Sequence, residues 1–176
     1  MQINHQNVLY NWLRSAIEWF EHNYLEFFIH ELTKIFSFKV NELQILQISI
    51  KNIKFAPEKR YMVAKTQKII DNHYQIELNE IKLDNISQIN SQIRKYIIVV
   101  IIGHELIHII QFHLKSIGSK KEEAFSKSWV SFLRDVKAYK YSQVIAAKHY
   151  TINKGLPEKH ALKVFSPVFN YYHQIL

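Results

Sequence analysis

Inside the most apolar part of the chain stand His104, Glu105, Leu106, Ile107 and His108, the pattern H-E-x-x-H. On a helix, side chains four residues apart share one face a turn apart, so both imidazoles can reach a single Zn2+ at about 2.0–2.1 Å. Glu105 points too far round the helix to be a ligand in the same shell, but its carboxylate can reach a water held on the metal. That sets a general base beside a Lewis acid. The chain has no cysteine and 10 histidines, so a metal here must be held by His, Asp or Glu. The alternative is a pair of core histidines satisfied by hydrogen bonds. Against it, two histidines and a glutamate are costly to bury in an Ile-rich helix unless they are paired or metal-bound.

Other residues weigh less. His30-Glu31-Leu32-Thr33-Lys34 matches half the motif, but Lys34 occupies the second ligand position, and we read it as a decoy. Gln111, three residues after His108, is either a group that orients a ligand or a plain capping or solvent-facing side chain. His113 points away from the His104/His108 face and reads as surface or core filling. His149, His160 and His173 lie in the C-terminal part, where a protonated transition-state stabiliser would have to come from, and nothing in the sequence singles one out.

Several elements must position this constellation. Leu9, Leu13, Ile17, Phe20, Tyr24, Phe27, Phe28 and Leu32 recur at spacings of three and four, predicting an amphipathic helix from about Asn7 to Phe36. Leu46, Ile48 and Ile50 alternate with polar residues, as in a half-buried strand, and Pro57 marks a turn. Residues Tyr61 to Ile70 fit strand or helix. Tyr74, Ile76 and Leu78, continued by Ile81 and Leu83, predict a strand or hairpin over about His73 to Leu83. Asp84, Asn85 and Ser87 offer N-caps to a helix carrying Ile86, Ile89, Ile93, Ile97 and Val100 toward Leu114, with Gly118 as its stop. So many β-branched residues oppose helix propensity, which requires that this helix be buried on nearly every side and therefore central. A further helix is expected from about Lys121 to Tyr150, broken by Gly155 and Pro157, before a final helical or irregular segment, Ala161 to Leu176.

His104-Glu105-Leu106-Ile107-His108-Ile109-Ile110-Gln111 resembles the active-site helix of zincin metallopeptidases, particularly small gluzincin-like members reading H-E-L-x-H-x-x-Q. The resemblance covers roughly residues 73 to 142. It implies that His73 to Leu83 is an antiparallel strand to which substrate backbone is added. It also implies an acidic third ligand in an E-x-x-A setting on the next helix, where this chain has Asp135-Val136-Lys137-Ala138-Tyr139, with Asp in place of Glu. A helix returning from a turn at Gly118 and starting near Lys121 climbs about 21 Å by Asp135, level with the upper histidine. Glu122 and Glu123 stay at the turn and suit helix capping. Tyr139, one turn beyond Asp135, is either a donor to a ligand or oxyanion or a packing residue.

A length of 176 residues suits one domain spanning residues 1-176, and 48% hydrophobic with 14% aromatic residues excludes a disordered or collagen-like chain. The net charge of +8 favours acidic partners. The basic residues are spread rather than gathered in an arginine-rich stripe, which argues against nucleic acid. No signal-like start is visible, and the apolar run Tyr96 to Gly103 is too short to span a bilayer; a cytoplasmic protein with no membrane segment is expected. The expectation is therefore an α+β, zincin-like domain, mostly α-helical with a small antiparallel sheet and a central HExxH helix. It acts as a zinc-dependent peptidase on peptide or protein substrates, with metal ligands His104, His108 and Asp135 and catalytic residues Glu105 and Tyr139. The alternative class is a basic helical interaction module for nucleic acid or an acidic protein, with a structural or vestigial H-E-x-x-H.

Overall fold

The computed structural model describes residues 5–36, 46–53, 56–59, 62–84, 91–116, 131–157 and 160, with side chains described from Asn11 in the first helix and from Lys140 in the last. The fold is mixed α and β, mostly helical, with one three-stranded sheet. The predicted first helix is two helices, α1 (His5–Asn23) and α2 (Leu25–Phe36), meeting at Tyr24. Near the junction, side chains reach carbonyls of α1: His22 Nδ1 lies 2.6 Å from Glu18 O, and Asn23 Nδ2 donates to Trp19 O at 3.0 Å. Such local bonds compete with the helix ladder. Backbone bonds from Tyr24 to Phe20 and from Phe28 to Tyr24 still bridge the break, so the apolar stripe of Leu13, Ile17, Phe20, Tyr24, Phe28 and Leu32 faces one core.

Of the segment Tyr61 to Ile70, which fitted either period, Ala64–Ile70 is a strand. The sheet is β1 (Gln47–Ile53), β2 (Ala64–Ile70) and β3 (His73–Asn79), in the order β1-β3-β2. It is mixed rather than antiparallel as expected. β2 and β3 form an antiparallel hairpin, whose turn is allowed by Asn72 at φ 60°, a conformation Asn tolerates. β3 thereby slots in beside β1, running parallel to it. A second correction follows: β3, expected to bind substrate along a free edge, is the central strand and is paired on both sides. The outer edge of β2 carries no strand among the described residues. The predicted strand also stops early, at Asn79, whose Oδ1 accepts the Ile81 backbone N–H at 3.2 Å while its Nδ2 donates to Met62 O at 2.7 Å. This cap starts a short helix, α3 (Glu80–Asp84), in place of the predicted strand end through Leu83.

The central helix α4 (Ser91–Ser116) follows, and Tyr96 through Ile102 are all buried, as the β-branched run requires. The stretch Arg94–His113 is long and apolar enough to cross a membrane, and 83% of it is buried inside the fold. The predicted caps at Asn85 and Ser87, the stop at Gly118, and the predicted helix start over Lys121 to Ser128 lie outside the described residues. So does the terminal segment from Ala161. The last helix, α5 (Ser131–Asn153), closes with Leu156 N–H on Thr151 O and Gly155 N–H on Ile152 O. These are the paired bonds of a Schellman motif, which needs the positive φ that Gly155 adopts, 63°. α5 packs antiparallel on α4: Tyr96 Oη stands 3.1 Å from His149 Nδ1, and further along, a methyl group on Gly103 would lie 3.2 Å from Ser142 Cβ.

Candidate metal centre

Helix α4 presents different residues to each of its neighbours. Gly103, Glu105, Leu106, Ile107, Ile109, Ile110 and Gln111 are buried, whereas His104 and His108 are half-buried and Phe112, one turn further on, is 43% exposed. The i, i+4, i+8 stripe is therefore the face along which this helix comes to the surface. The His104 and His108 rings meet edge-on with centroids 4.7 Å apart, and their Nε2 atoms are 3.0 Å apart. Two nitrogens sharing one tetrahedral ion at about 2.0–2.1 Å would stand about 3.3–3.4 Å apart, a little more than the separation here.

The two nitrogens of His104 are placed differently. Its Nδ1 is buried and has no hydrogen-bond partner among the described residues, leaving the other ring nitrogen as its only point of engagement. Burial, reinforced by the neighbouring His108, pushes its pKa down to about 3, so the imidazole is neutral as a ligand must be. The His108 ring is held on both sides: its Nδ1 lies 2.9 Å from Gln111 Oε1, and Phe112 stacks beside it at 6.4 Å. Gln111, which the sequence left between two roles, is buried and touches His108.

Glu105 is 9% exposed and faces the sheet. Thr66 of β2 donates its hydroxyl to Glu105 Oε2 at 2.6 Å, and the same oxygen lies 3.2 Å from the Glu105 carbonyl. Sequence reasoning missed Thr66. The one available signal was a hydroxyl residue on the buried face of a strand, and the strand itself was undecided.

Asp135 and Tyr139 lie on α5, and their side chains are outside the described residues. The contacts Tyr96–His149 and Gly103–Ser142 fix one antiparallel register. By that register Asp135 stands level with Ile110, two residues or about 3 Å beyond His108, and Tyr139 level with Leu106. An unbroken rise from Lys121 puts Asp135 level with His104 instead; the start of that rise lies outside the described residues. Glu122 and Glu123 lie outside the described residues. Among the described residues, no group of three or more His, Asp or Glu side chains converges on one point.

The remaining candidates have structural roles or stay apart. Glu31 of the decoy is buried and paired with Lys148 at 2.7 Å and with Lys34 at 3.3 Å, so the residue in the second ligand position serves as a counter-ion. His149 packs among Trp19, Tyr24, Phe27 and Tyr96. It sits opposite Tyr96, about 12 Å along α4 from His104, too far to stabilise a transition state there. His113 is buried in the core, His160 is exposed, and His173 lies outside the described residues. Comparison with protein-family models, curated proteins and solved structures finds no match to this chain.

Proposed function

We propose that the protein is a zinc-dependent peptidase with a zincin-like site, in which His104, His108 and Asp135 hold the ion. The observation that carries this reading is the pair of Nε2 atoms 3.0 Å apart on one face of α4, with a buried carboxylate at the next position, Glu105. Both histidines are ordinary zinc donors, and a ligand set with a carboxylate as third member leaves a fourth position open. Zinc bound there supplies Lewis acidity to a peptide carbonyl.

The chain's own residues supply the rest. Glu105 accepts a proton from the attacking water and returns it to the amine nitrogen as the C–N bond breaks. Thr66 orients that carboxylate by donating to its Oε2 at 2.6 Å. Tyr139 is assigned as donor to the developing oxyanion. The outer edge of β2, the strand that carries Thr66, is where an extended substrate would add its backbone hydrogen bonds.

Metal analysis of the purified chain tests the proposal. We expect about one zinc per chain, lost in His104→Ala and His108→Ala and weakened roughly 10-fold or more in Asp135→Asn. Glu105→Gln is expected to keep zinc but lose peptidase activity by several orders of magnitude. A wild-type chain that binds no divalent metal would overturn the reading and favour the basic interaction module.

A further inference from the structure

Four helical segments meet at one imidazole far from the H-E-x-x-H motif. His149 of α5 is 6% exposed. Its ring lies edge-on to Trp19 of α1, Tyr24 at the α1–α2 junction and Phe27 of α2, with centroids 5.7, 4.8 and 5.0 Å away, and Tyr96 of α4 stands at 6.1 Å. Its Nδ1 is 3.1 Å from Tyr96 Oη and 3.2 Å from Asn153 Nδ2, and the ring also bonds the backbone of Asn23, the last residue of α1. The box thus fastens the elbow between α1 and α2 to α4 and α5. Among the described residues no carboxylate is paired with this ring. Glu31 of α2 is taken by Lys148 and Lys34 at 2.7 and 3.3 Å. Tyr24 and Tyr96 are phenols that burial keeps in their neutral form, and Tyr150 lies behind Tyr96. Lys95 of α4 sits 3.3 Å from the Trp19 centroid, on the aromatic ring best suited to a cation.

We propose that His149 is an acid-sensitive latch: neutral, it holds the α1–α2 elbow on α4 and α5, and on taking up a proton it releases that elbow. A charged ring would be a second cation beside Lys95 in a box of aromatic side chains, with no anion to offset its lost hydration. Burial holds its pKa below the ordinary 6.5, aided by Lys95 and against the bond to the Asn23 backbone. A group with a depressed folded pKa contributes stability that is fully present above its unfolded value and lost as pH falls through the folded value. The elbow carries Phe28, which packs beside Gly103, so its release loosens one wall next to His104. The inference is independent of the zinc reading.

Ring chemical shifts of the wild-type protein give the first test. We expect His149 to be neutral at about pH 6, where a free imidazole is mostly charged; a charged His149 there would overturn the latch. Amide exchange, normalised to the intrinsic rate at each pH, should show the end of α1 and the start of α2 losing protection as pH falls from about 7 to about 5. Unchanged protection in wild type over that range would overturn it without any variant. His149→Gln keeps a neutral amide in the box, and His149→Phe fills it with a ring that cannot titrate, so both should hold that protection. In urea unfolding over the same range the folding equilibrium constant of wild type should fall more steeply than that of either variant, by up to about tenfold per pH unit, the effect of one proton. His104 is neutral down to about pH 3 in all three proteins and cancels in the comparison. Equal pH dependence in wild type and a folded variant refutes the proposal.

Discussion

Gly103 precedes His104, the first histidine of the H-E-x-x-H motif, and the structure gives a reason for it that concerns packing. A methyl group placed there would lie 2.8 Å from Phe28 Cε2, 3.3 Å from Phe28 Cζ and 3.2 Å from Ser142 Cβ. Favourable carbon contacts begin near about 3.5 Å, so α2 and α5 would both have to give way. Phe28 is 0% exposed and packed against Tyr24 with ring centroids 5.8 Å apart, so its ring has no free direction in which to swing. Overpacking of this kind costs about 1–3 kcal/mol, and the 2.8 Å approach points to the upper end. Replacing glycine inside a helix returns about 1 kcal/mol of propensity. The expected net effect of Gly103→Ala is a loss of about 2 kcal/mol, measured by urea unfolding followed by circular dichroism. Phe28→Leu removes the ring tip that collides, so the double variant should be more stable than the two single changes predict by about 1 kcal/mol or more. If Gly103→Ala proves as stable as wild type or more so, the close approach of α2 and α5 to α4 is wrong.

Thr66→Val deletes the hydroxyl that Glu105 Oε2 accepts; we expect a stability loss of about 1.5–3 kcal/mol for a hydrogen bond to a charged group and, on the proposed peptidase reading, a fall in kcat larger than any rise in KM, with Thr66→Ser restoring both. Glu31 ties α2 to α5 through Lys148; burial raises its pKa, but the bonds and charges of Lys148 and Lys34 outweigh burial and hold it below its ordinary value of 4.5. Its contribution is therefore fully present above that value and lost as pH falls through the lower folded value, so denaturation profiles of Glu31→Gln should show a flatter acid limb than wild type, and an unchanged limb would refute the pairing.

The parts of the structure legible in the sequence are those that a period or a spacing can encode. The histidine pair follows from i, i+4 spacing, and the burial of α4 follows from a β-branched run that no exposed helix would tolerate. Alternation identified the faces of β1 and β3, but it says nothing about neighbours, so the central place of β3 and its parallel pairing with β1 were invisible. The break at Tyr24 was hidden because the apolar spacing continues through it; only the side-chain bonds of His22 and Asn23 mark it. At Asn79 the sequence held both signals, an N-cap residue and a continuing Ile81/Leu83 alternation, and the cap prevailed because its side chain also ties back to Met62. Thr66 and Glu105 are 39 residues apart, and a contact at that separation leaves no local trace in a single sequence.

The site is built by rotation. Each residue of an α-helix turns about 100° from the last, so Gly103, His104 and Glu105 face three different directions although they are consecutive. Gly103 meets Phe28 of α2 and Ser142 of α5. Glu105 meets Thr66 of β2. His104 lies between these two contacts, and His108, about 140° round from Gly103, extends the same gap along the helix toward the exposed Phe112. The half-buried window that holds both imidazoles is thus what remains when the helical layer covers one side of α4 and the sheet covers another. A one-residue insertion just before Gly103 would keep the H-E-x-x-H spelling intact. It would also rotate the motif by about 100° against the N-terminal half of α4, turning His104 toward Thr66 in place of the glutamate, turning the glutamate out of reach of Thr66, and setting the inserted residue against Phe28 and Ser142. The chemistry of the motif therefore depends on the phase of the helix between α5 and β2 as much as on the five residues that spell it.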